Sequence, residues 1–302
     1  MIWLVIFIML ILVIFSLVIN IGLKETLMMC KKKDKRQILE ELWCRFGTDY
    51  RNYQDIPIEE VVIKSYDGLK LKGFFHKVYD GSKKVVILNH GYTANHYIDY
   101  QFTDIFFEEG YNILLIDMRS HGESEGKVAS YGYNESKDID NWVKWIEDKV
   151  GNDAYIGLHG QSMGAAAVML YAATHTDKIK FVVEDCGYTT ARDTIKYHFS
   201  KVKIPFWPLY DLIRLKARWK YKFDFNKISP EDAIINSEIP VLFIHGKADK
   251  VVPTWMSESL YKKKNGEKDK LYLVNGAGHM ESYSKDKDKY KKVVKEFLDS
   301  IC

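Results

Sequence analysis

The first hydrophobic stretch of the chain shows no periodicity. Met1 to Leu23 carries no charged side chain, and only Ser16, Asn20 and Gly22 interrupt a run of Ile, Leu, Val, Phe, Met and Trp. As a helix rising ~1.5 Å per residue it spans roughly 34 Å, enough for a hydrocarbon core of about 30 Å. A helix satisfies its own backbone in lipid, so residues 1–23 are expected to form a single-pass transmembrane anchor. A cleaved signal peptide fits less well. No basic residue precedes the run, no A-x-A-like site follows it, and in Leu27-Met28-Met29-Cys30 a methionine stands where a lipoprotein box needs a small residue. Lys24, Lys31, Lys32, Lys33, Lys35 and Arg36 follow the run. The positive-inside rule therefore places the rest of the chain on the cytoplasmic face of the cell membrane, and the basic stretch suits anionic lipid.

Beyond this anchor the patterning changes twice. Residues 24–56 read as a basic juxtamembrane segment with a short amphipathic helix over Gln37–Gly47. Residues 57–65 and 69–78 have strand composition and are joined by Asp67-Gly68, a hairpin signal. Then come short, nearly continuous apolar runs at Val85–Asn89, Asn112–Asp117, Ala154–Leu158, Phe181–Glu184, Val241–His245 and Leu271–Val274, as expected for strands covered on both faces. Between them lies helical periodicity: Ile139, Trp142, Val143, Ile146 and Val150, and later Tyr290, Val293, Val294, Phe297, Leu298 and Ile301. Strands alternating with helices imply a parallel sheet of βαβ units, hence one α/β domain over 57–302. One stretch, about 195–230, breaks the alternation. It is aromatic and basic and too long for a simple connection, so it is expected to cover a site as a helical cap.

Composition narrows the classes. Of 302 residues, 47% are hydrophobic and 28% charged, which excludes disorder for the bulk. The 44 basic and 41 acidic residues nearly cancel, which argues against a nucleic-acid partner. Four cysteines, at 30, 44, 186 and 302, show neither a disulfide framework nor metal-ligand spacing. Cys186 reads as buried and structural, and Cys30 as a residue open to modification at the membrane.

The candidate chemistry begins at Gly160-Gln161-Ser162-Met163-Gly164, a G-x-S-x-G pentapeptide between an apolar strand and the helical run Ala165–Leu170. That strand–elbow–helix setting is what the motif requires. The serine sits in a tight, strained turn at a helix N-terminus whose field favours developing negative charge. A serine needs a base. His279, in the loop after the last strand, is preferred over His121 and His159 because that loop reaches the sheet edge where ligands bind. The base needs an orienting carboxylate: Asp249, after the penultimate strand, is favoured, with Asp185 the runner-up and expected to be a hydrogen-bonding neighbour. The oxyanion needs two backbone donors, expected to be the N–H groups of Met163 and of Tyr92 in His90-Gly91-Tyr92, whose ring is read equally as acyl-pocket lining or ordinary packing.

With these residues in place the chain resembles an α/β-hydrolase, in the order Ser162, Asp249, His279. Five motifs coincide over 57–302: the His90-Gly91-Tyr92 loop, the Asp117–Ser124 turn, the Ser162 elbow, the Asp249 loop and the His279 loop. Within that superfamily it is similar to bacterial hydrolases grouped with the serine aminopeptidase S33 and prolyl-oligopeptidase-like families, many of them esterases or lysophospholipases. The resemblance implies an eight-stranded, mostly parallel sheet and a cap between the sixth and seventh strands. It departs in carrying one glycine in the oxyanion loop and no β-propeller.

The expected function is a membrane-anchored serine hydrolase acting on small or lipid-like carboxylic esters, with no metal or organic cofactor. The alternatives are a peptidase or amidase using the same triad, and a non-catalytic membrane protein with the same fold. A site for a substrate amine should offer carboxylates, whereas the insertion is mostly basic, with Asp211 and Asp224 its strong acids before Glu231.

Overall fold

The computed structural model describes residues 2–26 and 33–301; the Leu27–Cys30 motif, Lys31 and Lys32 lie outside them. The chain opens with helix α1 (Ile2–Thr26) and α2 (Lys35–Phe46). It continues through strands β1 (Glu59–Lys64), β2 (Lys70–His76) and β3 (Lys84–Asn89), helix α3 (His96–Glu108), β4 (Asn112–Ile116), α4 (Tyr133–Val150), β5 (Tyr155–Gln161), α5 (Met163–Ala172) and β6 (Ile179–Asp185). The insertion follows as α6 (Ala191–Lys201), α7 (Leu209–Tyr221) and α8 (Pro230–Ile234). The last elements are β7 (Val241–Gly246), α9 (Trp255–Lys264), β8 (Lys270–Val274), α10 (Ser282–Lys285) and α11 (Lys287–Ile301).

The eight strands form one sheet in the order β1-β2-β4-β3-β5-β6-β7-β8. The Asp67-Gly68 hairpin makes β1 and β2 antiparallel, β2 also runs antiparallel to β4, and β3 to β8 are parallel to one another. Alternation along each strand feeds two cores. Val86, Leu88, Leu242 and Ile244 face a cluster with α2, α3 and α11, built around Phe46, Phe102, Phe106 and Phe297. Val85, Ile87, Val241 and Phe243 face a cluster with α4 and α5, built around Trp142, Val143 and Ile146. Burial on both faces accounts for the continuous Val/Ile/Leu runs.

Helix α2 begins at Lys35, earlier than the periodicity suggests, because Asp34 and Gln37 form a capping box, and it ends at Gly47 in the left-handed conformation. Its Ile38, Leu42 and Phe46 are fully buried in the first core, so α2 packs as part of the sheet body. Helix α3 carries little hydrophobic periodicity because its buried positions include His96, Asp99, Gln101 and Thr103.

The transmembrane span expected at residues 1–23 is not supported: among the described residues no helix is long and apolar enough to cross a membrane. The segment is helical, and its last turns are engaged with the insertion. A Cβ on Gly22 would lie 2.7 Å from Ile213 Cδ1 of α7, and Lys216 Nζ donates to Asn20 Oδ1 at 2.6 Å. Ile2 to Val18, ahead of that contact, rises about 25 Å, short of the roughly 30 Å hydrocarbon core. Ile2, Trp3, Phe7, Leu10, Val13 and Leu17 on it are exposed.

Candidate active site

The parallel register brings the C-terminal ends of β3, β5, β6, β7 and β8 to one edge of the sheet, and the predicted residues gather there. Ser162 follows β5 directly and occupies φ 53°, ψ −114°, a conformation that a non-glycine residue holds only when its surroundings enforce it. They do so here: Ser162 N–H donates to Asp185 O at 2.8 Å, and Ser162 O accepts from Ala166 N at 3.1 Å. The flanking glycines are required by space. A Cβ on Gly160 would lie 2.5 Å from Gly164 C and O, and one on Gly164 would lie 2.2 Å from Asn89 O. The second contact seats the N-terminus of α5 against the loop after β3.

His279 Nε2 lies 2.9 Å from Ser162 Oγ, and His279 Nδ1 lies 2.7 Å from Asp249 Oδ2. With the carboxylate accepting from Nδ1–H, Nε2 is left to accept the serine proton. Asp249 Oδ1 accepts from Val251 N at 2.7 Å and Val252 N at 2.9 Å. Burial alone would raise the Asp249 pKa, but hydrogen bonds and charge from His245 and His279 outweigh it and hold the carboxyl well below the usual range. Asp185, the other candidate, points elsewhere. Its Oδ2 faces Tyr290 OH at 3.3 Å and Gln161 Nε2 at 3.4 Å, and burial raises its pKa to about 6.

The other two candidate histidines, and His90, are engaged elsewhere. His121 Nδ1 lies 2.9 Å from Arg119 O, and His159 Nε2 lies 3.1 Å from Tyr290 OH. His90 Nδ1–H donates to Gly91 O at 2.7 Å while its Nε2 accepts from Met118 N at 3.1 Å. That pair fixes the loop bearing Tyr92 to the Asp117–Ser124 turn. Gly91 lies beside the nucleophile, an added Cβ there being 3.5 Å from Ser162 Cβ. The Tyr92 ring stands edge-on to His121 at 5.8 Å and packs against the second core. Met163 is the first residue of α5 and is buried.

Several contributors have no sequence signal of their own. Arg45 of α2 donates from Nη2 to His279 O at 2.6 Å and from Nε to Glu281 Oε1 at 3.2 Å, so the helix before the sheet holds the histidine loop. His198 of α6 is half-buried, and burial, with the charge of His279, lowers its pKa; Tyr197 OH donates to Lys250 O at 3.4 Å. The insertion therefore reaches the Asp249 loop. His245, at the end of β7 just before the Asp249 loop, is buried with its Nε2 3.3 Å from Asp249 Oδ2. Among the described residues one group of metal-ligating types lies close together, Cys186 with Asp249 and His279. The latter two are hydrogen-bonded to each other, and burial pushes the Cys186 thiol well up, which disfavours the thiolate a metal needs.

An eight-stranded, mostly parallel sheet with a serine elbow and Asp and His loops at its C-terminal edge defines an α/β hydrolase. The comparisons agree. A family model described as the alpha/beta hydrolase fold matches residues 84–203. Bacillus subtilis YqkD is 32% identical over 285 residues, covering 94% of this chain and 93% of its own. The chain belongs to the α/β-hydrolase family and is of the esterase type. The Pyrococcus furiosus esterase Pf2001 superposes with a TM-score of 0.67 at 25% identity, covering 84% of this chain and 94% of that one. A Danio rerio lysophosphatidylserine lipase, ABHD12, is 24% identical over 193 residues, 62% of this chain and 49% of that protein.

Proposed function

We propose that the chain is a serine esterase working at a membrane, cleaving carboxylic esters with small or lipid-like acyl groups through an acyl-enzyme. Ser162 Oγ attacks the ester carbonyl while His279 Nε2 takes its proton. Asp249 holds the imidazole in the Nδ1–H tautomer and stabilises the imidazolium. The N–H groups of Tyr92 and Met163 receive the negative oxygen. The alcohol leaves with the proton from His279, and water repeats the sequence to release the acid. The observation that carries this reading is the continuous line Ser162 Oγ, His279 Nε2, His279 Nδ1, Asp249 Oδ2 at 2.9 and 2.7 Å.

Esters are favoured over peptides by the esterase likeness and by the insertion. Its acids Asp211 and Asp224 pair with Arg214 at 3.5 and 3.0 Å, so neither is offered to a substrate amine. A lipid-like substrate is supported by the surface above the site. Val202, Ile204, Trp207, Leu215 and Trp219 are exposed on the insertion, interleaved with exposed Lys201, Lys203, Arg218 and Lys220. Helix α1 adds its own exposed apolar side chains, and it packs on α7 of that insertion. Such a mixed surface suits an interface with anionic lipid.

The test is hydrolysis of p-nitrophenyl esters from acetate to palmitate by the full chain in mild detergent, beside its Ser162→Ala variant. Turnover is expected to fall by about three orders of magnitude or more, with the chain-length optimum reporting the acyl class. Equal turnover by the variant would overturn the serine mechanism. Turnover of aminoacyl amides but of no ester would overturn the ester reading in favour of an amidase.

A further inference from the structure

A second line of buried polar groups meets Asp249 at Oδ2, the oxygen that His279 also approaches. His245, Glu184 and Ser257 are all fully buried. They come from the ends of β7 and β6 and from α9, three elements that meet only in the folded sheet. His245 Nδ1 lies 2.7 Å from Ser257 Oγ, and Ser257 Oγ lies 2.7 Å from Glu184 Oε1. His245 Nε2 lies 2.9 Å from Val252 O and 3.3 Å from Asp249 Oδ2. Glu184 Oε2 accepts from Gly187 N at 2.7 Å.

The partners fix the protons. Val252 O accepts only, so His245 Nε2 always carries hydrogen. The single Ser257 hydroxyl proton then links two arrangements of equal total charge. In one, His245 is an imidazolium: Nδ1–H donates to Ser257 Oγ, and Ser257 O–H donates to an ionised Glu184. In the other, Glu184 is protonated on Oε1 and donates to Ser257 Oγ, whose O–H donates to a neutral His245 Nδ1. Moving between them takes one proton from Nδ1 to Oγ and one from Oγ to Oε1, so nothing is gained or lost. Burial raises Glu184 to about 7, and burial lowers His245 while bonds and charge from Asp249 and Glu184 raise it above its ordinary value. Both groups are shifted upward, and the hydrogen-bonded line through Ser257 Oγ admits either proton position.

We propose that Glu184, Ser257 and His245 form a buried proton relay that sets the charge beside the triad aspartate. The three are positioning residues: they act on the reaction through Asp249 and touch no substrate. With His245 as imidazolium, part of the Asp249 charge is drawn away from His279. When His279 itself becomes an imidazolium, the relay proton moves to Glu184 and returns that charge. The groups facing His245 are Asp249 from its own loop, Glu184 and Asp185 from β6 and Ser257 from α9, with His279 and the Cys186 thiol beyond Asp249. The inference rests on the serine-esterase reading.

The experiment is the pH profile of kcat/KM on p-nitrophenyl acetate for the full chain, Glu184→Gln and Ser257→Ala, with a fluorophosphonate probe counting folded, reactive serines. In Glu184→Gln the new amide would donate to Ser257 Oγ and lock His245 neutral, leaving the Asp249 charge to His279. The acid limb is then expected to move to higher pH by roughly half a unit to one unit. Ser257→Ala, which cuts the line, should move it as well. Full labelling with an unmoved midpoint in both variants would overturn the relay and leave a structural role. Should Glu184→Gln fail to label, Ser257→Ala decides alone. Failure of the wild type to turn over any ester would instead strike the esterase reading.

Discussion

The sheet body and the helical insertion solve opposite problems with the same kinds of residue. In the body, aromatics such as Trp142, Phe181 and Phe243 are fully buried, and titratable groups at the strand ends have assigned partners. In the insertion, Trp207 and Trp219 remain 75% and 74% exposed, and a third core of Ile195, Tyr210, Ile213 and Phe225, shared with Tyr131, Ala166 and Met256 of the body, holds it in place. Rigidity fixes distances, and distances are what a proton transfer needs. An exposed apolar surface fixes no distance, but it selects what approaches. On the proposed reading the body carries the chemistry and the insertion carries access.

The comparison is tested hardest within the body, where two neighbouring carboxylates hold different posts. Asp249→Asn is expected to lower kcat by about four orders of magnitude, because the amide imposes the wrong imidazole tautomer. Asp185→Asn, whose partners are Tyr290 and Gln161, is expected to keep kcat within about tenfold. Steady-state rates on one ester with both variants check this, and equal losses would dissolve the distinction. Next in size is Gly164→Ala. The added Cβ would lie 2.2 Å from a backbone carbonyl, which has no side chain to move aside. A loss of about 4 kcal/mol or more is expected, read as a collapse of the thermal transition together with loss of fluorophosphonate labelling.

The two regions also differ in how far the sequence foretells them. The strands are legible because burial on both faces leaves unbroken Val, Ile and Leu, and the elbow is legible because its glycines answer a local crowding. Helix α3 is not, since the positions it buries include Asp99 and Gln101. The support that Arg45 gives His279 joins residues 234 positions apart, and no local pattern records it. The line Glu184, Ser257, His245 is hidden for a related reason. Each stands near a more conspicuous candidate, and only the placement of α9 against β6 and β7 connects them. The first segment is legible as an apolar helix, but its docking onto α7 at Gly22 and Asn20 cannot be read from a run of hydrophobic residues.

The insertion supplies the next test. Replacing Trp207 and Trp219 together by Ser should leave p-nitrophenyl acetate hydrolysis within about twofold, because neither ring belongs to the line of reacting groups. Turnover of a long-chain ester embedded in anionic vesicles is expected to fall by roughly tenfold, the loss of ~1.4 kcal/mol of interfacial burial. Equal falls on both substrates would mean that the rings shape the site itself and that access and chemistry are not divided as described.

A further test concerns stability alone and again sets the body apart. His159 is fully buried under Phe102, its Nε2 held by Tyr290 OH and its Nδ1 without a partner. Burial lowers its pKa from 6.5 to about 3, so the folded body holds it neutral. The unfolded chain binds the extra proton first. The stability this group permits is therefore full above its unfolded pKa and is lost as pH falls from there toward the folded value. His159→Gln removes that dependence. Between pH 6 and 4 the variant should gain on the wild type by about 1.4 kcal/mol per pH unit, measured as denaturant midpoints of the full chain across that window. A difference that stays constant with pH would mean that the imidazole is already charged in the folded body, and the contrast between a dry body and a wetted insertion would lose one of its supports.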